Sequence, residues 1–383
     1  MPFFTRWNTQ TRTQATRIGF VLILGFLAAA QNLFADIVSP SAGSPLLDDA
    51  NLNAVQFLGS KIGWAVGDRG VIRKTEDGGR TWQFIASPVQ APLRHLCFLT
   101  NQIGWIAGGG TAAYGHLNQG VLLFTKDGGK TWEELVQKRL PRLHYVRFFG
   151  VNEGVVVGES SIQHATGVFK TTDGGKTWQD VIGYESSGYR SAAFFDVSTG
   201  IVAGTQGRLT LVGGGAVLPP RFPPQGLRGI QDVKLPITAT GWMVGDGALL
   251  RKTENKGVVW EMPETALPDQ LKDFFDFQAV EVRGDQVWIA GDPGSVIWHS
   301  ADRGKTWSQQ WTNQSAPLAA IHFVNDQTGC AVGALGTILL TNDGGQTWHL
   351  NHADPRRVAL MCVHAQPAQI SFDMLSKYAG DQG

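Results

Sequence analysis

An eight-residue segment recurs along the chain and constrains its fold more than any other feature. Five copies read TEDGGRTW, TKDGGKTW, TTDGGKTW, SADRGKTW and TNDGGQTW, and they begin at Thr75, Thr125, Thr171, Ser300 and Thr341. A degraded copy, TENKGVVW, begins at Thr253. The closing Trp residues are 50, 46, 82, 47 and 41 residues apart, so the longest interval holds one further unit that has lost the motif. The chain therefore contains seven units of one repeat.

A second, apolar pattern lies upstream of each motif position. It reads GWAVG, GWIAG, GVVVG, GIVAG, GWMVG, QVWIAG and GCAVG, starting at residues 63, 104, 154, 200, 241, 286 and 329. Further apolar runs lie on either side of it, and a polar strand pattern follows the Trp. Each unit thus predicts four short antiparallel strands. Seven such units predict an all-β fold, a seven-bladed β-propeller of four-stranded antiparallel blades over residues 52–351.

The recurrent polar residues of the motif are predicted to be structural. The acidic side chain can accept hydrogen bonds from backbone N–H groups of its own turn, and the glycines supply positive φ. The Trp begins the fourth strand and packs against a neighbouring blade. Acidic groups distributed around a ring cannot share one substrate, which disfavours a catalytic role. The residues assigned this structural Asp-box role are Asp77, Trp82, Asp127, Trp132, Asp173, Trp178, Trp260, Asp302, Trp307, Asp343 and Trp348.

The start of the chain has a different composition from the repeats. Arg6, Arg12 and Arg17 precede an apolar run over 18–30, and the first acidic residue is Asp36. This pattern predicts a secretory signal over residues 1–35, cleaved after Ala30 or Ala35. The alternative is an uncleaved membrane anchor over residues 18–34. Both interpretations predict an exported protein, in which residues 36–51 lead into the propeller.

The end of the chain, residues 352–383, falls outside the repeat. Residues 357–365 read RVALMCVHA, a buried-strand pattern, and residues 371–380 could open a helix. The segment is either the start of an unfinished α/β unit or a packed tail.

Charge and cysteine content exclude several classes of function. The chain carries 32 basic and 32 acidic residues, which argues against nucleic-acid binding driven by global charge. Cys97, Cys330 and Cys362 are too scattered for a disulfide framework, and Cys330 takes the place of a repeat Trp. His and Cys residues nowhere show zinc-ligand spacing. We therefore expect neither a metal nor a cofactor.

The combined repeat pattern is narrower than the Asp box alone. Gly63–Trp82, GWAVGDRGVIRKTEDGGRTW, and Gly329–Trp348, GCAVGALGTILLTNDGGQTW, both follow it. This pattern resembles that of the photosystem II stability and assembly factor family, with a likeness that covers roughly residues 52–351. The resemblance implies a non-catalytic, exported propeller in the periplasm or a compartment like the thylakoid lumen, which assists or docks onto membrane-protein partners. The family's binding surface is an arginine patch, and no motif here matches its members one by one.

Long inserts predict the functional face. Links between second and third strands and between blades should emerge on one face, opposite the Asp boxes, and those links are the long ones. Basic and aromatic residues gather there at the starts of the inner strands, and Arg and Tyr are frequent in protein interfaces. The predicted partner-binding face comprises Arg94, His95, Arg142, His144, Tyr145, Tyr189, Arg190 and Arg228, with Tyr114 and His116 on an insert. An anionic loop, a carboxy terminus or a lipid-proximal segment would suit a monomeric protein with this face.

Two other functions stay open from the sequence. Acidic residues recur after the second strand, at Asp68, Glu159, Asp246 and Asp292, and a glycoside hydrolase needs two carboxylates about 5–10 Å apart. Sequences such as GDRG and GDPG are also good turns, which we favour. A sialidase would need a six-bladed ring and an FRIP start, so an Asp-pair glycosidase, with a glycan substrate, is the stronger enzymatic alternative. The propeller could also be the sensor module of a longer protein.

Overall fold

The computed structural model describes residues 45–111, 118–135, 140–185, 188–219, 228–236, 240–265, 267, 271 and 273–352. The predicted signal or anchor and the predicted C-terminal unit, apart from His352, lie outside this range. Within the described part of the chain, no helix is long and apolar enough to cross a membrane. One short helix, α1 (Pro45–Asp48), precedes 27 strands.

The strands form seven antiparallel sheets, each built from strands consecutive in sequence. The first three blades contain β1 (Leu52–Leu58), β2 (Ile62–Gly67), β3 (Ile72–Thr75) and β4 (Gln83–Ile85); β5 (Leu93–Phe98), β6 (Gly104–Thr111), β7 (Asn118–Thr125) and β8 (Glu133–Glu134); and β9 (Leu143–Phe148), β10 (Gly154–Gly158), β11 (Val168–Thr171) and β12 (Gln179–Asp180). The fourth blade contains β13 (Ser191–Asp196), β14 (Thr199–Ala203), β15 (Leu209–Gly213) and β16 (Ala216–Val217).

The remaining three blades complete the ring. They contain β17 (Ile230–Lys234), β18 (Gly241–Gly245) and β19 (Leu249–Thr253); β20 (Asp276–Arg283), β21 (Gln286–Asp292), β22 (Val296–Ser300) and β23 (Ser308–Trp311); and β24 (Leu318–Phe323), β25 (Gly329–Gly333), β26 (Ile338–Thr341) and β27 (His349–His352). The seven-bladed β-propeller predicted from the repeat is thus confirmed.

The fifth blade departs from the four-stranded prediction, because its sheet has three strands in the described part of the chain. A single bridge, Lys252 with Glu261, begins the missing fourth strand. The next hydrogen-bonded position in that ladder would pair Leu250 with Pro263, and proline has no N–H to donate. The guanidinium of Arg251 donates to the Leu250 carbonyl instead, at 2.8 Å. A proline two residues after the bridge therefore ends the strand.

The fourth blade shows how a unit can lose its Asp box and keep its sheet. β15 and β16 are joined at Gly214 and Gly215, whose φ values are 61° and 76°. Val212 pairs with Val217 and Gly213 with Ala216, so the turn is a two-residue hairpin. Two positive φ angles in succession suit a hairpin turn of this length and favour glycine. A tight glycine turn replaces the motif.

Aromatic side chains pack in the seams between neighbouring blades and connect them. Trp64 of the first blade is fully buried and stacks on Phe98 of the second, with ring centroids 3.6 Å apart. Its Nε1 donates to the Gly128 carbonyl in the second Asp box at 3.1 Å, and Trp132 of that box meets Phe98 edge-on. The same arrangement recurs for Trp105, Phe148 and Trp178, and for Trp288, Phe323 and Trp348. The predicted structural role of the repeat Trp residues is therefore confirmed in these seams.

The Asp boxes act as predicted, as closed hydrogen-bonded turns. In the second box, Asp127 accepts from the Thr131 N–H at 3.0 Å and from the Thr131 hydroxyl at 2.6 Å. The Thr125 hydroxyl also donates to Asp127, at 2.8 Å. Gly128 and Gly129 have φ values of 77° and 80°, the left-handed region that favours glycine. In the degraded fifth box, Asn255 takes the place of the aspartate and accepts from the Val259 N–H at 2.7 Å.

Hydrogen bonding in the boxes predicts a specific acid sensitivity. Hydrogen bonds from Thr131 lower the pKa of Asp127 to about 2, and its hydroxyl has a larger effect than its N–H. The Thr177 hydroxyl likewise lowers the pKa of Asp173 to about 2. The pKa values of these two carboxyls in the folded protein lie below that of Asp in an unfolded chain, about 3.9. The ionised carboxylates therefore stabilise the fold above pH ~4. This stabilisation is lost as the pH falls from about 4 to about 2. The double substitution Asp127→Asn and Asp173→Asn keeps the acceptor, as Asn255 does naturally, and removes the titration.

We therefore expect the melting temperature of this double variant to fall less steeply than that of the wild type between about pH 4.5 and pH 2.5. Scanning calorimetry over this range measures the difference. A control with Glu133→Gln and Glu153→Gln removes two exposed carboxylates outside the boxes. If the melting temperature of the Asn variant falls with pH as steeply as that of the wild type, Asp127 and Asp173 do not cause the loss of stability in acid.

Among residues 45–352, as far as the structure describes them, the ring closes without a strand exchanged between its ends. Blade one and blade seven each use only their own consecutive strands, and β1 lies beside β24. Cys330 stands where four of the other blades have Trp, and Asn351 of β27 donates to the Gly79 carbonyl of the first box. On the opposite face, Asn51 accepts from the Leu335 N–H at 3.1 Å. Residues 45–51 thus pack over the closing seam and add no strand to it.

Candidate functional site

A recurrent bulge at the start of the inner strands builds the most distinctive surface. The register between inner and second strands skips one residue in six blades, at Asn53, Arg94, His144, Gln231, Gln278 and Ala319. In the fourth blade, Arg190 directly precedes β13. A bulge redirects its extra side chain and often does so beside functional sites. All seven of these residues line one cavity, one from each blade.

This cavity lies on the face opposite the Asp boxes and holds about 510 Å³. The other lining residues lie in links between second and third strands or between blades. They are Arg142, Glu159, Ser160, Gly188, Tyr189 and Thr205. The Asp boxes lie on the other face, where Gly78 donates to Lys61 and Gly344 to Gln327 in the turns between first and second strands. The predicted division of the two faces is therefore observed.

Three guanidinium groups meet in the cavity, from Arg94, Arg142 and Arg190. Burial lowers the pKa of Arg94, and the like charges of Arg142 and Arg190 lower it further. Asp68 and Glu159 act on the same group in the opposite direction. Among the described residues, no acceptor lies within hydrogen-bond distance of the buried Nε of Arg94. The cavity thus concentrates positive charge at one end of the propeller axis.

One carboxylate, Glu159, lines the described cavity. It lies 3.3 Å from the Arg142 guanidinium and 3.9 Å from Nε2 of His144. Burial lowers the pKa of His144, against the effect of its hydrogen bond with Glu159, and so favours the uncharged imidazole. Three guanidinium groups and one carboxylate line the described cavity, and Asp68, which is not part of the lining, also acts on Arg94.

The structure brings together five of the ten residues predicted for the partner-binding face, namely Arg94, Arg142, His144, Tyr189 and Arg190. The side chain of Tyr189 is itself buried between blades three and four. Two further residues, Tyr114 and His116, lie outside the described part of the chain. The predicted face as a functional surface stays a hypothesis.

His95 and Tyr145 do not line this cavity, and their place on the partner-binding face stays a prediction. They follow the bulge, so they turn into the seams between blades, where their rings lie 4.6 Å apart. His95 Nδ1 lies 3.4 Å from the Val146 N–H, and burial lowers the pKa of His95 to about 3. Burial also raises the pKa of Tyr145. Both side chains hold blades together.

Arg228 is exposed but does not line the cavity. Its guanidinium donates to the Gly247 carbonyl at 2.8 Å, in the turn between the second and third strands of its own blade. It therefore belongs to the rim of the fifth blade.

Sequence reasoning missed the uncharged members of the ring, Asn53, Gln231 and Gln278. Their signal is positional: each occupies the second place of an inner strand, or the third in β20, close to the place Arg94 occupies in β5. An alignment of the inner strands by their repeat position would have brought these residues into register with Arg94. Amides at these positions offer both donors and acceptors to a bound chain.

Two of the four acidic residues considered for glycoside hydrolysis, Asp68 and Asp246, serve as turn residues instead. Asp68 accepts from the side-chain amides of Asn51 and Asn53 at 3.1 and 3.0 Å. Asp246 accepts from the Gly229 N–H and the Gln231 amide at 3.0 and 2.7 Å. Neither lines the cavity. Among the residues that the structure describes, no group of three or more His, Cys, Asp or Glu side chains could hold a metal ion.

Comparison with known proteins identifies relatives of this architecture. The family model described as photosynthesis system II assembly factor YCF48 matches residues 44–183 and 227–319. The gap between the two matches contains the fourth blade, which lacks its Asp box. A photosystem II assembly lipoprotein Ycf48 of Synechococcus sp. strain CC9902 is 29% identical over 128 residues, which are 32% of this chain and 37% of that protein. A second, from strain JA-2-3B'a(2-13), is 27% identical over 31% of this chain and 35% of its own length. The chain thus spans a little over a third of these curated relatives.

Solved structures with similar folds include both binding proteins and an enzyme. A structure of YCF48 bound to D1 peptide has a TM-score of 0.59 and 20% identity, over 77% of this chain and 92% of that one. YCF48 from Cyanidioschyzon merolae has a TM-score of 0.60 and 20% identity, over 78% and 97%. A family GH74 xyloglucanase from Xanthomonas campestris has a TM-score of 0.61 and 13% identity, over 82% and 55%. At these identities the likeness shows the fold alone.

Proposed function

The chain belongs to the photosynthesis system II assembly factor YCF48 family, and from this membership and the cavity we propose that it is a non-catalytic binding platform for a membrane-protein partner. The partner presents an anionic peptide segment, an acidic loop or a carboxy terminus, to the cavity. The protein assists assembly by holding that segment.

The observation that carries the proposal is the convergence of Arg94, Arg142 and Arg190 on one cavity, in whose described lining Glu159 is the one carboxylate. Guanidinium groups bind carboxylates through two parallel hydrogen bonds, and these charge-assisted bonds are stronger than neutral ones. Like charges held together in a partly buried site repel one another, so an anion that enters relieves the repulsion. A recess whose described lining carries more guanidinium groups than carboxylates attracts an anionic ligand.

The size and remaining lining of the cavity suit a peptide. Its volume of about 510 Å³ is within the range of binding pockets, ~300–1,000 Å³. The amides of Asn53, Gln231 and Gln278 can donate to and accept from a peptide backbone. A peptide is also the ligand in the related structure of YCF48 with D1 peptide.

The glycosidase alternative has weaker support. Glycoside hydrolysis uses two carboxylates that flank the scissile bond. Glu159 is the one carboxylate in the described lining of the cavity, and it is paired with Arg142. The xyloglucanase shares the fold at 13% identity, which says nothing about activity.

The proposed site of action is outside the cytoplasm. The basic and apolar start of the chain has the composition of an export signal or anchor. One relative is named a lipoprotein, which supports a membrane-associated location for this family member as well. The role of residues 353–383, and whether the chain is a module of a longer protein, stay predictions.

A peptide-binding measurement tests the proposal. We expect a short peptide with a free carboxy terminus, and an amidated one with an internal Asp-Glu pair, to bind at least about tenfold more tightly than a neutral amidated peptide. The reason is that a hydrogen bond to a charged group contributes ~1.5–3 kcal/mol. Fluorescence polarisation at low ionic strength measures all three affinities. Equal affinities for charged and neutral peptides would reject the anionic-segment function.

A further inference from the structure

Three apolar side chains are exposed on the cavity face at the third blade. Ile162 is 104% exposed, Ile182 75% and Tyr184 51%. We call these three residues the apolar patch. Exposed apolar groups gathered on one part of a surface indicate an interaction site.

The same two loops contribute residues to both the apolar patch and the cavity. The link between β10 and β11 contributes Glu159 to the cavity wall and Ile162 to the patch. The link between β12 and β13 contributes Gly188 to the wall and Ile182 and Tyr184 to the patch. The two loops also pack together, since the Tyr189 N–H donates to the Gly158 carbonyl at 3.0 Å.

Hydrogen bonds hold the patch in place. Ser161 and His164 exchange backbone hydrogen bonds at 3.0 Å, so Ile162 stands at the tip of a closed turn. His164 Nδ1 contacts Asp180 at 2.8 Å, and the Thr166 hydroxyl donates to the Val181 carbonyl at 2.7 Å. These bonds bring the loop of Ile162 against the segment that leads to Ile182.

We infer that the binding site has two parts: the cavity takes the anionic group of the partner, and the apolar patch takes apolar side chains three or four residues before it. This inference rests on the proposed function. Glu159 and Ile162 are three residues apart, so their Cα atoms lie at most ~11 Å from each other. An extended peptide covers that distance in three to four residues, at ~3.3 Å per residue.

Charge around the patch favours a peptide over a lipid surface. Exposed Asp180 and Glu185 flank Ile182 and Tyr184. Carboxylates beside the apolar side chains repel anionic headgroups, whereas an apolar peptide segment carries no charge for them to repel. The partner is therefore expected to be an extended segment with apolar residues followed by an acidic group.

Two peptides with free carboxy termini test the inference: one has leucine three and four residues before its end, and the other has serine there. We expect the leucine peptide to bind wild-type protein about tenfold or more tightly than the serine peptide. The variant Ile162→Ser with Ile182→Ser should bind the leucine peptide about 25-fold less tightly, about fivefold for each ~40 Å² of buried apolar surface lost. Its affinity for the serine peptide should be unchanged. Val151→Ser removes a similarly exposed apolar residue from the opposite face and should change neither affinity.

The outcomes separate the two proposals. If free-acid peptides bind more tightly than amidated ones but leucine does not raise the affinity, the role inferred for the apolar patch is wrong and the proposed function of the cavity stands. If the carboxylate gives no advantage, the proposed function itself fails. Sedimentation with phosphatidylcholine and phosphatidylglycerol vesicles is the third arm. The inference is overturned if the wild type binds vesicles, the Ile162→Ser and Ile182→Ser variant does not, and the wild type shows no preference for the leucine peptide. The patch would then be a bilayer-binding surface.

Discussion

Replacing Trp64 with alanine is expected to lower the free energy of unfolding by about 3–5 kcal/mol, a large part of the total stability of a domain. The side chain is fully buried between blades one and two, and its ring stacks on Phe98 at 3.6 Å. The substitution also leaves the Gly128 carbonyl without its indole donor. A cavity and an unsatisfied acceptor arise together in one seam.

Urea denaturation followed by fluorescence measures this loss. The matched control is Trp311→Ala, because Trp311 lies at the end of β23 and is 52% exposed. We expect that change to cost less than about 1 kcal/mol. Equal destabilisation by the two substitutions would contradict the view that the repeat Trp residues carry the contacts between blades.

The second large effect concerns the cavity. Replacing Arg94, Arg142 and Arg190 together with alanine is expected to weaken binding of an acidic peptide at least about 100-fold. Loss of two charge-assisted contacts, at ~1.5–3 kcal/mol each, accounts for this factor. Glu159 then remains as the one charged group in the described lining and repels the ligand. Binding by the wild type should also weaken as salt rises, since screening reduces attraction between partly exposed charges.

A control with the same loss of charge lies on the opposite face. Arg80, Lys130 and Lys176 occupy one position in the first three Asp boxes, and all are exposed. Their replacement by alanine removes three positive charges and leaves the cavity intact, so affinity should change less than about threefold. Comparable weakening by both triple variants would mean that overall charge, and not the cavity, attracts the peptide.

The ring could be predicted from the sequence because its turns and seams repeat. The threonine, aspartate and glycines of each box determine one turn by local hydrogen bonds, and the repeated Trp sets the contact with the next blade. The missing fourth strand of blade five could not be predicted in this way, although Pro263 stands where the ladder needs a donor. That prediction requires the register between Lys252 and Glu261, which the repeat pattern alone does not give.

The cavity was only partly predictable, because a one-residue bulge decides which side chains enter it. Arg94 and His95 are neighbours of similar character in the sequence, yet Arg94 lines the cavity and His95 packs on Tyr145 in a seam. Strand periodicity predicts alternation but not where the alternation is interrupted. Arg228 resembles the other arginines in sequence, because it shortly precedes an inner strand. Its bond to Gly247 keeps it on the rim.

The most direct test of the central claim is capture of a membrane protein from detergent-solubilised membranes of the host. The wild-type propeller, the Arg94, Arg142 and Arg190 triple-alanine variant, and the Arg80, Lys130 and Lys176 control are immobilised in equal amounts, and bound proteins are compared by mass spectrometry. The account predicts that a membrane protein is retained by the wild type and the control and lost from the cavity variant. Equal retention by all three would contradict the claim that this cavity holds the partner.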